Sequence, residues 1–367
     1  MYSKQRPGTY LFITPGKIDR LTGGSIYNRK LRDSLVERGA RVRTLSVPDL
    51  PYFPSLFLSI LIAPWIALRF INRGYDAIIL DSWAHPALAL FSLALRPASR
   101  IRVVAIVHQL RGPERRAGAA RFIAESIERA SLARSDLIVT VSDFMRRNIE
   151  ELLGAGRPVL VARPGCDLRR QRVDIAGKGV KAGPVRLLFV GNCVRRKGLD
   201  LLVSALSRVE GAPVRLDLVG SLDFDPQFAA ELRRTVEHLG LTDVVRFHGR
   251  VTDDALERIY GESDIFVMPS YYEGYGIVYG EAMQAGLPII AVDSGAVREI
   301  VREGENALLV PPGDPRALAE AITRLAADVD LRNQFARRSL ELARDLPAWS
   351  DTCEQIIRAL RSQDFDG

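Results

Sequence analysis

Glu273 and Glu281 stand eight residues apart in Pro269-Ser270-Tyr271-Tyr272-Glu273-Gly274-Tyr275-Gly276-Ile277-Val278-Tyr279-Gly280-Glu281-Ala282-Met283. The run Asp264 to Met268 predicts a strand that delivers the chain into this loop, and the residues after Gly276 predict a helix. One acid therefore sits in a loop at a helix N-terminus, the other about one turn inside the helix. Backbone N–H groups at such a helix start form a ready anion site. Two carboxylates flanking an anion repel it, unless the ligand carries hydroxyls on both sides of a diphosphate. A nucleotide-sugar has that shape. Two solvated acids on a surface loop would leave the glycines and the apolar frame unexplained.

A second phosphate signal lies in Leu187-Leu188-Phe189-Val190-Gly191-Asn192-Cys193-Val194-Arg195-Arg196-Lys197-Gly198. Here a strand ends at Gly191, a short loop follows, and a helix begins near Gly198-Leu199-Asp200. Ligands of open α/β sheets bind at the carboxyl ends of strands, beside helix starts. Gly191 admits a close backbone approach, and Lys197 offers a point charge to a diphosphate. An Arg-Arg-Lys triplet alone is more often a solvated face; its place in the same half as the Glu273 loop gives it weight.

These side chains need a scaffold, and the chain supplies one. Strand-like apolar runs alternate with helical segments in both halves, the mark of a parallel α/β architecture. The expected strands are Leu11–Thr14, Arg41–Ser46, Ala77–Asp81, Arg102–His108, Leu137–Ser142 and Val159–Ala162, then Arg186–Val190, Val214–Val219, Val245–Phe247, Ile265–Met268, Ile289–Ala291 and Ala307–Leu309. Asp314 and Pro315 predict the cap and first position of a helix buried through Leu318, Ala321, Ile322 and Leu325. A last helix is expected near Ser350 to Leu360. Arg169 to Pro184 reads as a linker. Residues 1–170 thus form one domain, 171–184 the linker, 185–348 a second domain, and 349–367 a terminal helix and tail.

The length of 367 residues suits two domains, and 47% hydrophobic with 26% charged residues is ordinary globular composition. Three widely spaced cysteines, Cys166, Cys193 and Cys353, suggest neither a disulfide framework nor a metal knuckle, and fit a reducing cytosol. Residues 1–170 hold 27 Lys/Arg against 14 Asp/Glu, while the remainder holds 24 against 30. A basic first half of this kind suits a negative surface or acceptor; a merely soluble basic surface is the alternative. Tyr52 to Leu68 contains no charged residue, yet Pro54 and Pro64 interrupt it and it falls short of a bilayer span. It reads either as a helix buried on the first sheet, the favoured expectation, or as a patch resting on a membrane with Arg69 and Arg73 at its edge.

The motifs resemble the retaining glycosyltransferases of family 4, or group 1, which have two facing Rossmann-like domains, the GT-B fold. The resemblance covers nearly the whole chain. Glu273 and Glu281 carry it most specifically. Arg134–Ser142, Arg163-Pro164-Gly165-Cys166-Asp167, Gly286-Leu287-Pro288, Gly295 and Gly304–Asp314 support it. The resemblance implies that Glu281 hydrogen-bonds the nucleotide ribose and Glu273 the donor-sugar hydroxyls, with the Gly274, Tyr275, Gly276 and Ile277 amides on sugar and phosphate. It places Lys197 on the diphosphate, Arg250 and Val251 beside the nucleobase, and His108 beside the donor sugar. Gly23-Gly24, before the helix-like Ser25–Arg38, matches the family's glycine loop. Asn192 stands where the family often has arginine, so Arg196 or Arg195 is expected to replace that charge. His85 and Asp81 end a strand at the same edge and are weaker candidates for acceptor contacts. The terminal helix is expected to cross back to the first domain.

The implied chemistry is transfer of a hexose from a nucleoside-diphosphate sugar to a hydroxyl acceptor, with retention. Lys197, Arg196 and the helix-start amides would stabilise the departing diphosphate without reorganising. The plausible route is front-face attack, the donor phosphate taking the acceptor proton. Domain closure about the linker would exclude water and bring His108 to the sugar. No Asp-x-Asp or histidine cluster has convincing ligand geometry, so neither a metal nor a cofactor is expected. The acceptor stays open between a lipid-linked or membrane-presented molecule, a glycan and a soluble small molecule, and the base between uridine and guanosine. A cytoplasmic location is expected, with a peripheral position at the cytoplasmic membrane face as the alternative. Three rivals stand: a sugar-nucleotide epimerase, a silent nucleotide-sugar-binding subunit, and a nucleic-acid binder. Only 7% aromatic residues and scattered basic ones argue against the last.

Overall fold

A computed structural model of the chain describes residues 8–16, 18, 22–48, 52–70, 74–84, 101–110, 118–154, 156–166 and 183–362. His85, Arg73 and most of the expected linker lie outside the described residues. The chain divides into two compact units, Met1–Gly165 with Pro347–Gly367, and Cys166–Leu346.

The first unit is built on a six-stranded parallel sheet ordered β2-β1-β3-β4-β5-β6. Its strands are β1 (Thr9–Pro15), β2 (Arg41–Val47), β3 (Ala77–Asp81), β4 (Arg102–Val107), β5 (Leu137–Thr140) and β6 (Val159–Val161). β3 and β5 are buried along their whole length, as strands covered on both faces must be. Its helices are α1 (Gly23–Glu37), α2 (Tyr52–Phe70), α3 (Ala119–Leu132) and α4 (Asp143–Leu153). The Thr22 hydroxyl caps α1 by accepting from the Ser25 N–H at 3.1 Å.

α2 departs from the burial expectation. Ser55 and Ile66 are buried and Ile62 packs on the core beside Leu11, Ile13 and Ile78. Phe57, Ile60, Leu61 and Trp65 nevertheless stand 53–74% exposed. At 3.6 residues per turn the positions 55, 62 and 66 share one face, and 57, 61 and 65 another. An uncharged run lacks the polar residues that mark a helix's outer face, so the sequence could not show that only half of it is covered.

The second unit repeats the architecture, with sheet order β12-β11-β10-β7-β8-β9, all neighbours parallel. Its strands are β7 (Val185–Val190), β8 (Val214–Val219), β9 (Val245–Gly249), β10 (Ile265–Met268), β11 (Ile289–Val292) and β12 (Ala307–Val310). Its helices are α5 (Leu199–Leu206), α6 (Pro226–His238), α7 (Asp253–Glu262), α8 (Ile277–Gln284), α9 (Pro315–Ala327) and α10 (Val329–Leu342). Asp314 caps α9 as expected, accepting from the N–H groups of Arg316 and Ala317.

The final helix, α11 (Trp349–Arg361), belongs to the first unit. Trp349, Thr352, Cys353, Ile356, Ile357 and Leu360 are buried, an i, i+3, i+4 stripe. The Arg102 guanidinium donates to the carbonyls of Leu360 and Ser362 at its C-terminus, where a cation also meets the helix dipole favourably. No helix among the described residues is long and apolar enough to cross a membrane.

Candidate functional site

In the second unit the strand order reverses between β7 and β10, the topological switch point where open α/β sheets hold ligands. The loops leaving these two strands carry Lys197 and Glu273. They are tied together: the Tyr271 N–H donates to the Arg196 carbonyl at 2.9 Å, and an Arg196 guanidinium nitrogen donates to the Tyr272 carbonyl at 2.8 Å. Gly198, at φ +68°, lies so close to the Pro269 carbonyl that a Cβ would come within 2.0 Å of its oxygen. A third loop clamps Glu273 from β11: the Ala296 N–H donates to the Glu273 carbonyl at 2.9 Å, and the Ser294 hydroxyl to the Ser270 carbonyl at 2.9 Å.

Within this frame Lys197 Nζ lies 2.6 Å from Glu273 Oε2, and Arg196 approaches the same oxygen at 3.9 Å. Both members of the pair are largely buried, with side chains 13% and 10% exposed. Burial pushes the Glu273 carboxyl up, but Lys197 and Arg196 outweigh it and hold the group below the usual carboxylate range. The acid is therefore an acceptor already engaged by a cation. That suits a group holding sugar hydroxyls better than one poised as a nucleophile. Arg195 turns away, pairing with Glu231 and lying over the Phe228 ring. Arg196 is thus the arginine of this site. Asn192 provides no charge; its Oδ1 faces the Ser221 N–H at 3.4 Å.

Gly276, in the left-handed region, precedes α8 as its N-cap residue, and Glu281 lies on the helix's second turn. Tyr260, buried on α7, donates its hydroxyl to Glu281 Oε2 at 2.8 Å. Burial raises the Glu281 carboxyl above its ordinary range, with the Tyr260 hydrogen bond opposing. Tyr260 was not legible as a site residue, because its partner is chosen by packing. Gly274 and Tyr275 are buried, Gly276 and Ile277 half-buried, and Gly191 ends β7 beside Lys197. Arg250 and Val251 leave β9, two strands from β7, about 10 Å away at ordinary strand spacing. Among the described residues no cluster of three His, Cys, Asp or Glu side chains could hold a metal ion.

If Glu281 accepts from a ligand hydroxyl, Glu281→Gln weakens nucleotide binding by about tenfold to a hundredfold, the size of a charge-assisted hydrogen bond. Wild-type affinity then falls with acidification, starting above the ordinary carboxylate range because the carboxyl is raised, while the variant stays flat. Calorimetric titration with nucleotide across pH checks both.

The first unit holds a separate cluster at its own switch point, between β1 and β3. His108, just past β4, places Nε2 3.0 Å from Asn28 Oδ1, and Asn28 Nδ2 donates to Asp81 Oδ2 at 2.7 Å. Burial lowers the His108 pKa, and the Asp81 charge opposes this. Asp81, a weaker candidate for acceptor contact, is buried, and its other oxygen accepts from the Trp83 N–H at 2.9 Å. Gly24 also differs from expectation. It sits in the first turn of α1 rather than in a flexible loop, and a Cβ there would meet His108 Cδ2 at 2.8 Å. Close approach, not backbone freedom, is what requires glycine. Asn28 carried no sequence signal beyond its place in an amphipathic helix.

Two family profiles match the chain: Glycosyl transferase 4-like domain over residues 14–165 and Glycosyl transferases group 1 over residues 171–341. The chain belongs to the group 1 glycosyltransferases. A relative of this chain, the D-inositol 3-phosphate glycosyltransferase of Corynebacterium urealyticum, is 26% identical over 91% of this chain and 84% of its own. Several other curated relatives are matched over only about half of their length. Sucrose-phosphate synthase from Thermosynechococcus elongatus superposes with a TM-score of 0.81 at 24% identity, over 96% of this chain and 98% of that one. Anabaena HepE in complex with UDP-glucose gives 0.75 at 21%, over 96% and 99%. These two likenesses show a shared GT-B fold.

Proposed function

We propose that the chain transfers a hexose from a nucleoside-diphosphate sugar to a hydroxyl acceptor with retention of anomeric configuration. The observation that carries this is the buried Lys197–Glu273 pair at the switch point of the second sheet, with Glu281 one turn into the following helix. Sugar–phosphate cleavage puts negative charge on the leaving diphosphate. Lys197, Arg196 and the α8 N-terminal amides are fixed cationic and dipolar groups that meet it. Glu273 holds donor hydroxyls and Glu281 the ribose. In a front-face route the leaving phosphate oxygen takes the acceptor proton as the acceptor oxygen bonds to the anomeric carbon, so these residues need form no covalent intermediate. No metal is assigned a role, since the cations serve the diphosphate. Uridine is the first base to test, because HepE was solved with UDP-glucose.

The test is calorimetry with uridine, guanosine and adenosine diphosphates and their common sugar conjugates, with no metal added. Selective binding of one base supports the donor site. A folded sample that binds none of them counts against the donor site, whereas binding without turnover supports the silent-subunit reading.

The exposed face of α2 favours an acceptor presented at a membrane. Phe57 and Leu61 are 70% and 74% exposed, and Trp65 suits the headgroup region. Residues 1–165 and 347–367, the unit bearing this face, hold 27 Lys/Arg against 17 Asp/Glu, complementary to anionic lipid. Co-sedimentation with vesicles containing phosphatidylserine should exceed that with phosphatidylcholine alone. The double variant Phe57→Ser, Leu61→Ser should weaken it by about tenfold or more, given roughly 1.5–3 kcal/mol per buried side chain. Self-association in solution that this variant abolishes, without vesicle binding, would instead make the face a contact between copies.

A further inference from the structure

We propose that Asp81 and Asn28 are positioning residues that lock His108 in its Nε2–H tautomer, so that Nδ1 is presented as a hydrogen-bond acceptor for a substrate hydroxyl. The hydroxyl role rests on the glycosyl-transfer reading; the lock itself does not.

An ionised carboxylate only accepts. Asp81 Oδ1 takes the Trp83 N–H at 2.9 Å and Oδ2 takes its partner on Asn28 at 2.7 Å. The Asn28 atom facing Asp81 must therefore be the amide nitrogen, and the amide oxygen must face His108 Nε2, 3.0 Å away. An oxygen there requires a proton on Nε2. The acceptor-only end fixes the orientation of everything after it. Asn28 and Asp81 are 1% and 6% exposed, so water does not compete for these bonds.

Two further contacts restrain the ring. Gly24 leaves room for Cδ2 and nothing larger, since a Cβ would stand 2.8 Å from it. The Tyr27 ring packs edge-on at 5.1 Å between centroids, itself held by donation of its hydroxyl to the Ala162 carbonyl at 2.9 Å. Among the described residues, the ring's hydrogen bond is the one at Nε2. No described residue donates to Nδ1, while burial favours the neutral ring. A neutral imidazole with a lone pair on Nδ1 accepts from O–H; it cannot donate from that atom. The device is a three-residue relay in which a buried carboxylate sets the hydrogen-bonding sense of a histidine through an amide.

Long-range proton–nitrogen NMR on protein labelled with nitrogen-15 histidine reads this directly. The chain has four histidines, and the His108→Gln spectrum identifies the signal. At neutral pH, His108 should show a protonated Nε2 and a lone-pair Nδ1. Asp81→Asn should invert the ring. Its carbonyl must face the Trp83 N–H, so its amide nitrogen faces Asn28. The Asn28 oxygen then turns to accept, its nitrogen donates to Nε2, and the ring proton moves to Nδ1. The inverted variant should lose about tenfold or more in kcat, the size of one hydrogen bond, with donor KM unchanged. A wild-type Nδ1–H ring or imidazolium overturns the lock, as does an Asp81→Asn ring that stays Nε2–H. Full kcat in an inverted ring overturns the acceptor role. The wild-type spectrum decides the lock even if Asp81→Asn fails to fold. Because the spectra need no substrate, failure to turn over any nucleotide-sugar would remove the transfer reading and leave the tautomer decided.

Discussion

Lys197→Met destabilises the second unit by about 3 kcal/mol, the lower end for removing one partner of a buried ion pair, because Arg196 at 3.9 Å compensates in part. For a unit of this size that lowers its melting temperature by roughly 6–12 °C. Adding Glu273→Gln to the same protein restores part of the loss, since no unpaired buried carboxylate remains. The pH dependence has a definite sign. In the wild type the cations hold Glu273 below its ordinary range, so its contribution is present above the unfolded pKa and is lost as pH falls through the folded value. Without Lys197, burial raises the carboxyl, and folded protein then loses stability as pH rises through the raised value. The gap between wild type and variant is therefore small in acid and widest near neutrality. Urea unfolding across pH measures it, and a gap constant with pH would mean that Glu273 is not the group left behind. If Lys197 meets the leaving diphosphate, kcat falls as well, by about 10²–10³, the usual cost of losing one preorganised donor.

Gly295→Ala should be the most damaging substitution that touches no charge. Gly295 sits at φ +63°, and a Cβ would lie 2.2 Å from the Glu273 carbonyl oxygen and 2.9 Å from its nitrogen. Backbone cannot swing aside as a flexible side chain can, so the loop carrying Glu273 must shift and the Ala296 N–H bond to it lengthen. A displacement of about 1 Å at a catalytic group can cost a hundredfold in rate. Gly313→Ala is the matched control: its φ is +74°, with nothing within 4 Å of a built Cβ. Both variants carry the left-handed penalty of about 1–2 kcal/mol, but only Gly295→Ala should lose activity. Equal kcat in the two would show that the clamp does not position Glu273.

The two Rossmann-like units and their twelve strands were legible in the sequence, with ends displaced by no more than about two residues. The reason is local. Strands covered on both faces, such as β3 and β5, read as near-continuous apolar runs, while the edge strand β2 carries polar residues among its apolar ones. The Glu273–Glu281 spacing is equally local, eight residues across one loop and one helical turn. Asp314, Pro315 and the stripe of α11 follow from capping and helical period. Sequence therefore determined the elements, the GT-B resemblance and the principal acids. It left the partners undetermined, since those depend on strand order. Lys197 and Glu273 are 76 residues apart and meet because β7 lies beside β10. Asn28, Asp81 and His108 come from α1, β3 and the end of β4, and only the order β1-β3-β4 brings them together. Tertiary structure also decided which half of α2 is covered. An apolar run carries no polar marker of its outer face, whereas packing against one side of a sheet leaves the other side to whatever the protein meets.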